Sequence, residues 1–265
     1  MRMILHRAWS TEDEAPPLPA DPISRPGDLW MLRPHRLLCG DATVPTHLER
    51  LVDGEIADMV FTDPPYNVDY EQKRKGERTG GRKIKNDALR LQFEDFLRDA
   101  CTNMLNACSR AVYIAMSSSE LHTLKRAFTD AGGHWSTFLI WAKQTFTLGR
   151  SDYQRQYEPI LYGWKEGATH HWCGARNEGD VWFVNKPFRN ELHPTQKPVE
   201  VVQRAIRNSS QRGDLVLDPF AGSGTTLVAC EPMDRHARLM ELDPSSADVI
   251  VNRYEQFTGM SAKRG

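Results

Sequence analysis

Short apolar runs alternate with turn residues and with segments of helical spacing along most of the chain, which is typical of strands alternating with helices. The first two runs, Leu29–Leu32 and 36–39, flank a short turn and predict a hairpin that ends just before Asp41. The next segment predicts a helix over Pro45–Val52, with Thr43 as its N-cap.

The same pattern continues through the rest of the chain. Apolar residues at helical spacing predict helices over 91–106 and 121–131. Further strands are predicted at 58–61, 111–115, 137–141, 158–163, 215–218 and 238–243. This alternation predicts the α/β fold class, a doubly wound and mostly parallel sheet with one antiparallel strand near Ile160.

Three stretches lack such periodicity. Residues 1–26 are rich in proline and acidic residues, and predict an extended N-terminal arm or linker, or an arm packed on a neighbour. Residues 67–87 are basic and glycine-rich, which indicates a mobile loop. Residues 165–191 are long for a connection inside a domain, which indicates a functional insertion. The remaining frame, 27–265, is expected to be one domain.

Composition narrows the class of protein. The chain has 265 residues, 40% of them apolar, enough for one large α/β domain or two small ones. Its net charge of −1 excludes a generic polyanion binder, so any nucleic-acid surface must be local. The five cysteines form no CxxC pair, which indicates a reduced, metal-free, cytoplasmic protein. No apolar run approaches membrane length, and the first residues are too polar for a signal peptide.

The most informative stretch follows the strand at 58–61. Asp63 precedes Pro64 and Pro65, and neither proline can donate a ladder hydrogen bond, so the strand should stop there. The carboxyl ends of strands are where open α/β sheets bind ligands. An Asp63 carboxylate, a Pro64 carbonyl and the Tyr66 ring would suit a planar amino group, such as the exocyclic amine of a nucleobase.

A second constellation lies downstream, where a strand, a turn with Gly222 and Gly224, a helix, a strand and Glu241 outline an adenosine-binding unit. Leu227 replaces the third glycine of the dinucleotide fingerprint, which argues against a pyrophosphate ligand. Asp218 before the turn would repel phosphate and suits a cation, such as the amino group of a methionine moiety. The chemistry therefore indicates S-adenosylmethionine rather than NAD or ATP.

Together, these motifs resemble those of the beta-group amino-methyltransferases of DNA. The resemblance rests on Leu-Leu-Cys-Gly-Asp at 37–41, Asp-Pro-Pro-Tyr at 63–66, the run 193–198, the run 218–226 and Glu241. The catalytic motif precedes the glycine motif, an order typical of the permuted beta group. The resemblance covers nearly the whole chain. It implies a permuted, Rossmann-like methyltransferase fold and site-specific, restriction-modification- or phage-type methylation of adenine in double-stranded DNA.

The resemblance also implies roles for individual residues. Catalysis would fall to Asp63, Pro64, Pro65 and Tyr66. The cofactor S-adenosylmethionine would contact Asp41 and Ala42 at its adenine and Glu241 at its ribose. Its methionine side would be lined by Asp218, Phe220, Gly222 and Gly224, and its carboxylate would be approached by Thr195 and Lys197. Further cofactor contacts are expected from Pro219, Thr225 and Leu242. Lys197 could instead be a surface lysine before a helix that starts at Pro198. No metal ligand is implied.

The expected mechanism starts from the weak nucleophilicity of the adenine amine. Acceptance of its two N–H bonds by Asp63 and Pro64 would free the nitrogen lone pair, and Asp63 or water would take the surplus proton. The base must leave the duplex, at a cost of a few kcal/mol. Stacking on Tyr66 would return roughly 1–3 kcal/mol, unless Tyr66 is a core residue.

DNA contacts are expected from the basic loop, and the residues concerned are Lys73, Arg74, Lys75, Arg78, Arg82, Lys83 and Lys85. A solvated loop without DNA contacts is the alternative reading of such a run. Residues 165–191 would form a small target-recognition insertion.

Other substrates stay open at this point: the amino group of cytosine, RNA or protein as the methyl acceptor, or a catalytically inactive DNA-binding module. Serine is commoner than aspartate at the first motif position of the cytosine subgroup, so Asp63 favours adenine. A homodimer is expected by analogy with beta-group relatives, and a cognate restriction enzyme is a further candidate partner.

Overall fold

The computed structural model describes residues 13–68, 71–72, 82–83, 85–148, 152–185 and 196–265. The strands of these ranges are β1 Leu29–Leu32, β2 His35–Cys39, β3 Ala57–Thr62, β4 Glu71–Gln72, β5 Arg82–Lys83, β6 Cys108–Ala115, β7 Gly133–Thr147, β8 Arg155–Lys165, β9 Val181–Phe183, β10 Leu215–Asp218, β11 His236–Glu241 and β12 Lys263–Arg264. The α-helices are α1 Pro45–Val52, α2 Phe93–Ala107, α3 Leu121–Asp130, α4 Val199–Ser209, α5 Thr225–Cys230 and α6 Pro244–Thr258. No helix in the described ranges is both long and apolar enough to cross a membrane.

Ten strands form one sheet in the order β12-β1-β2-β11-β10-β3-β6-β8-β7-β9, and β4 pairs with β5 separately. The central strands β2, β11, β10, β3 and β6 are parallel. β8 is antiparallel to both β6 and β7, which confirms the reversal predicted near Ile160. β1 is also reversed, through its hairpin with β2. The predicted mostly parallel sheet is therefore confirmed, with a second reversed strand.

Helices cover both faces of the sheet because both faces are apolar. Leu48 of α1, Phe96 of α2 and Leu124 of α3 belong to the core cluster on one face. Val202 of α4 and Leu227 of α5 belong to the cluster on the other face. Each fully buried side chain of this kind contributes about 1.5–3 kcal/mol relative to an exposed one, so the two layers fix the sheet between them.

The order of the central strands determines where a site can form. The chain passes from β10 to β11 on one side, whereas β3 leads to β6 on the other side. β10 and β3 therefore flank the point where the winding changes direction, and a crevice opens there beyond the carboxyl ends of the strands. The residues that follow or end these strands, Asp63, Asp218 and Glu241, lie at this same edge.

The start of α1 corrects one prediction. The helix begins at Pro45 as expected, but its N-cap is Val44, which makes no side-chain cap hydrogen bond. The predicted cap, Thr43, is wrong, because its backbone N–H and hydroxyl both donate to Asp41 Oδ1, at 2.9 and 2.7 Å. The Thr43 side chain therefore closes a turn after β2 instead of capping the helix.

The described part of the N-terminal arm, residues 13–26, lies against the domain. Asp248 of α6 is buried and accepts the backbone N–H and the hydroxyl of Ser24, at 3.0 and 2.5 Å. Asp13 Oδ1 accepts the backbone N–H of Val199 at 2.9 Å, at the start of α4. These contacts fasten the arm beside the crevice.

The candidate target-recognition insertion is described up to residue 185. It leaves β8 and returns as the edge strand β9, which pairs in parallel with β7. The Trp182 side chain of β9 is buried, and Glu178 forms an ion pair with Arg204 of α4 at 2.8 Å. Residues 186–191 lie outside the described ranges.

Candidate active site

The loop after β3 carries the Asp-Pro-Pro-Tyr motif. Asp87 is buried and its Oδ1 accepts the backbone N–H of Tyr66 at 2.9 Å, which holds the loop in place. The strand ends at Thr62, immediately before Asp63, as the two prolines predicted. The loop thus presents its acceptor groups at the edge of the sheet.

Lys197 lies directly against this motif. Its Nζ donates to Asp63 Oδ2 at 2.6 Å, to the Tyr66 hydroxyl at 2.8 Å, and lies 3.0 Å from Glu158 Oε2. The side chain is only 5% exposed, so the ammonium group depends on the carboxylates of Asp63 and Glu158. The structure therefore brings Lys197 to the Asp-Pro-Pro-Tyr motif, with carboxylates of the protein around its charge.

Tyr66 links the two carboxylates. Its hydroxyl donates to Asp63 Oδ1 at 2.6 Å and lies 3.3 Å from Glu158 Oε2. Burial and these neighbouring carboxylates raise the pKa of Tyr66 well above its usual value, so the phenol stays a neutral donor. The Lys197 Nζ lies 5.1 Å from the centroid of the Tyr66 ring, so the cation lies near the hydroxyl end of the ring.

The charges of the cluster respond to burial and to each other. Burial raises the pKa of Asp63, against the opposing effect of Lys197. Burial also favours the neutral form of Glu158, but the ammonium groups of Lys197 and Lys143 outweigh it and lower its pKa to about 2. For Lys197, burial opposes the charge, yet Asp63 and Glu158 raise its pKa to about 12. At neutral pH, Glu158 is therefore ionised and Lys197 is protonated.

Asp218 ends β10 behind this cluster. Its Oδ1 accepts the Thr62 hydroxyl at 2.7 Å, and its Oδ2 accepts the Thr226 hydroxyl at 2.5 Å. Burial raises the pKa of Asp218 to about 6, although these hydroxyl donors favour the ionised form. The carboxylate thus ties β10, β3 and α5 together at the crevice while lining its wall.

The glycine turn is fastened to the end of β11. Glu241 Oε2 accepts the backbone N–H of Gly222 at 2.9 Å, and Oε1 accepts that of Asp243 at 2.9 Å. Gly222 and Gly224 have φ of +55° and +80°, where a side chain is disfavoured. A Cβ on Gly224 would also come within 3.2 Å of Ile250. The turn therefore needs its glycines for its backbone conformation, and this turn presents the Gly222 N–H to Glu241.

One cavity of about 580 Å³ joins the two constellations. The predicted site residues in its wall are Asp41, Ala42, Asp63, Pro64, Pro65, Tyr66, Lys85, Lys197, Asp218, Pro219, Phe220, Gly222, Thr225, Glu241 and Leu242. Gly224 packs behind the wall, against Ile250. The structure thus brings together motifs that lie about 155 residues apart in the sequence.

Several predicted residues are not placed in this way. Thr195, Lys73, Arg74, Lys75 and Arg78 lie outside the described residues, and for Arg82 and Lys83 only the backbone of β5 is described. Lys85, predicted to contact DNA, lies in the cavity wall, where its Nζ donates to the Leu242 carbonyl at 3.4 Å. Lys85 therefore lies next to Leu242, at the end of the cavity that the glycine turn and β11 form.

Sequence reasoning missed several residues of the wall: Leu18, Ser117, Lys143, Arg155 and Glu158. Lys143 and Glu158 lie on the paired strands β7 and β8 and form an ion pair. Charged residues are unusual in or beside a buried strand. The sequence could therefore have marked Lys143 and Glu158 as candidates, since they lie next to the predicted strands 137–141 and 158–163.

The comparisons with known proteins agree with this geometry. The family model N6_N4_Mtase, described as DNA methylase, matches residues 57–252. The type II methyltransferase M.HpaI of Haemophilus parainfluenzae is 25% identical over 254 residues, covering 86% of this chain and 76% of that protein.

Two solved structures share the fold. One is the complex of M1.HpyAVI with SAM, with a TM-score of 0.61 and 21% identity over 82% of this chain and 98% of that one. The other is the PvuII DNA methyltransferase, described as cytosine-N4-specific, with a TM-score of 0.59 and 16% identity over 85% of this chain and 93% of that one. At these identities the likeness concerns the fold.

Proposed function

Since this chain belongs to the family of DNA methylases, we propose that it methylates the exocyclic amino group of adenine in double-stranded DNA. The cofactor of the reaction is S-adenosylmethionine. The observation that carries the proposal is the cavity in which Asp63 and Pro64 meet the glycine turn and Glu241. Aspartate at position 63, rather than serine, supports adenine over cytosine as the target.

The chemistry of the cavity wall fits this cofactor. Glu241 brings a carboxylate to the cavity wall, a group that can accept hydrogen bonds from ribose hydroxyls, and its oxygens also accept the backbone N–H groups of Gly222 and Asp243. Asp41, Asp218 and Asp243 add negative charge, which suits a cationic ligand and disfavours a pyrophosphate. When bound, S-adenosylmethionine supplies a methyl group activated by a positively charged sulfur.

Asp63 and Pro64 would act on the target amine. Their carboxylate and carbonyl oxygens would accept its N–H bonds, which draws electron density to the nitrogen as it becomes a nucleophile. Because burial raises the pKa of Asp63, its carboxylate is a stronger proton acceptor than an exposed aspartate. Catalysis then depends mainly on positioning and on preorganised charge.

The target base must leave the duplex to reach this cavity, which costs a few kcal/mol. Stacking on the Tyr66 ring would return roughly 1–3 kcal/mol.

The direct test measures transfer of a labelled methyl group from S-adenosylmethionine to duplex DNA, followed by separation of the digested nucleosides. Labelled N6-methyladenine is the expected product. Labelled N4-methylcytosine would instead show that the target base is cytosine. If RNA or protein is labelled under the same conditions and DNA is not, the proposal is wrong.

Asp63→Asn is the variant that tests the chemistry, since it keeps the shape of the side chain and replaces one acceptor oxygen with a donor. The variant should stay folded and bind S-adenosylmethionine and DNA, while the rate of methylation falls by at least about 10²-fold. A rate near that of the parent would remove Asp63 from its role as acceptor.

The remaining partners are proposals of the same kind. The basic segment 73–85 would contact DNA phosphates, and residues 165–191 would read the target sequence. The type II methyltransferase M.HpaI supports pairing with a restriction endonuclease that cuts the same site. DNA from cells that express this protein should then resist that endonuclease. Light scattering of the purified protein tests the expected homodimer.

A further inference from the structure

Glu158 approaches the catalytic motif from the side of β8. Its Oε2 lies 3.0 Å from Lys197 Nζ and 3.3 Å from the Tyr66 hydroxyl. Its Oε1 forms an ion pair with Lys143 of β7. The Glu158 side chain is 21% exposed and lies in the wall of the cavity. Neither the acceptor role of Asp63 and Pro64 nor cofactor binding at the glycine turn accounts for this carboxylate.

The cluster contains two carboxylates and two ammonium groups, so its formal charges balance. The Lys197 ammonium is shared, with Nζ–O distances of 2.6 Å to Asp63 and 3.0 Å to Glu158. A target amine that donates to Asp63 must compete with Lys197 for the same carboxylate. A buried ammonium can give up one anionic partner only if another remains close, because an unpaired buried charge is costly.

We propose that Glu158 is a positioning residue for methyl transfer: it holds the Lys197 ammonium when the target amine takes its place on Asp63. This inference rests on the proposed function, since it requires Asp63 to be the acceptor of the amine. Lys143 fixes Glu158 from the far side, so that the carboxylate stays beside Lys197.

The surrounding charges are consistent with this role. Lys197 and Lys143 lower the pKa of Glu158 against the effect of burial, so it remains an anion at neutral pH. Asp63, by contrast, has a raised pKa, and the charge of Glu158 contributes to that rise. The charged or titratable groups that face Glu158 from the other elements are Asp63 and Tyr66 after β3, Lys143 on β7 and Lys197 before α4. Arg155 on β8 and Asp218 on β10 line the same cavity.

Glu158→Gln tests the proposal, because it keeps the side-chain shape and removes the charge. Lys197 then binds Asp63 more tightly and competes with the amine, so kcat should fall by at least about tenfold while both KM values stay within about twofold. Loss of the Glu158 charge also lowers the pKa of Asp63. The acid limb of the kcat profile should therefore move to lower pH, which a purely structural role would not cause.

Two further variants complete the design. Glu94→Gln makes the same charge change in the ion pair between α2 and Arg126 of α3, and should keep the parent kcat and pH profile. Glu158→Asp keeps the charge on a shorter side chain, and should recover part of kcat and the parent acid limb. The proposal is wrong if Glu158→Gln has the kcat and the acid limb of the parent. It is also wrong if the variant changes only KM.

A readout without methylation separates this inference from the proposed function. Removal of the Glu158 charge lowers the pKa of Lys197, so acetic anhydride should label Lys197 faster in folded Glu158→Gln than in the parent, as measured by peptide mass spectrometry. Equal labelling rates would refute the shared ion pair. If the parent protein fails to methylate DNA, the proposed function fails, whereas the labelling result still decides whether Glu158 holds Lys197.

Discussion

Replacing Lys197 with methionine separates two roles that this residue could have. The resemblance of the sequence implies contact with the methionine carboxylate of the cofactor, whereas the structure surrounds its ammonium with Asp63, Glu158 and Tyr66. Methionine keeps much of the length and the apolar stem of the side chain but removes the charge. If the protein's own carboxylates are the main partners, Lys197→Met should lower stability even without cofactor.

The magnitude follows from the pKa of Lys197, which its surroundings raise from 10.5 to about 12. One pKa unit equals about 1.4 kcal/mol, so the folded state favours the charged lysine by about 2 kcal/mol. The cost of breaking a fully buried pair is about 3–5 kcal/mol, and the partial exposure of Asp63 places this site at the lower end. The two estimates together give about 2–3 kcal/mol, so at 2–4 °C per kcal/mol the melting temperature should fall by roughly 4–12 °C.

The effect should depend on pH with a definite sign. The pKa of Lys197 is raised in the folded state, so its contribution is complete below pH 10.5 and is lost as the pH rises through about 12. The pKa of Glu158 is lowered from 4.5 to about 2, so its contribution is complete above pH 4.5 and is lost as the pH falls through about 2. Parent and variant should therefore differ most between about pH 4.5 and 10.5.

Melting curves of both proteins across this range provide the assay, together with calorimetry of S-adenosylmethionine binding. Lys263→Met is the control, since Lys263 is exposed on the edge strand β12, and it should melt like the parent. An unchanged melting temperature for Lys197→Met at pH 7, combined with much weaker cofactor binding, would refute the structural assignment and favour the one implied by the resemblance.

Three further predictions concern other parts of the molecule. Glu241→Ala should weaken S-adenosylmethionine binding by at least about tenfold, because it removes charged acceptors at the cavity, and equal affinity by calorimetry would contradict the ribose assignment. Neutralising Lys73, Arg74 and Lys75 together should reduce the slope of the logarithm of DNA affinity against the logarithm of salt concentration by up to about three units, and should leave sequence preference intact. An unchanged slope would favour the alternative of a solvated loop without DNA contacts. Asp248→Ala leaves buried donors of the N-terminal arm without an acceptor, so the free energy of unfolding should fall by about 1–3 kcal/mol and the arm should be cleaved earlier in limited proteolysis; parent behaviour in both assays would show that the arm is held elsewhere.

Features with a local cause could be predicted from the sequence. Pro64 and Pro65 cannot continue a ladder, so the end of β3 and the position of Asp63 follow from residue type. The sequence also predicted the turn between β10 and α5, and its two glycines, Gly222 and Gly224, adopt the positive φ that glycine tolerates. The N-cap of α1 could not be predicted in this way. Thr43 donates its hydrogen bonds to Asp41, and Val44 occupies the N-cap position instead.

The choice of partners for buried charges could not be predicted. Lys143 and Glu158 lie on neighbouring antiparallel strands, and only the pairing of β7 with β8 places them side by side. Lys197 approaches Asp63 across 134 positions of sequence because α4 packs on the sheet next to β3. No periodicity in the chain reports such contacts, since each residue also has a plausible solvated position.

The sequence by itself therefore determined the alternation of elements, the end of β3 and the residue types at the crevice, because backbone geometry and apolar periodicity are properties of neighbouring residues. Only the tertiary structure decided which carboxylates share Lys197 and how Asp218 is satisfied by Thr62 and Thr226. A buried charge pairs with the groups that the packing of distant elements brings within about 3 Å. These ion pairs matter energetically because the elements around them exclude water, and residues adjacent in the sequence do not determine that exclusion.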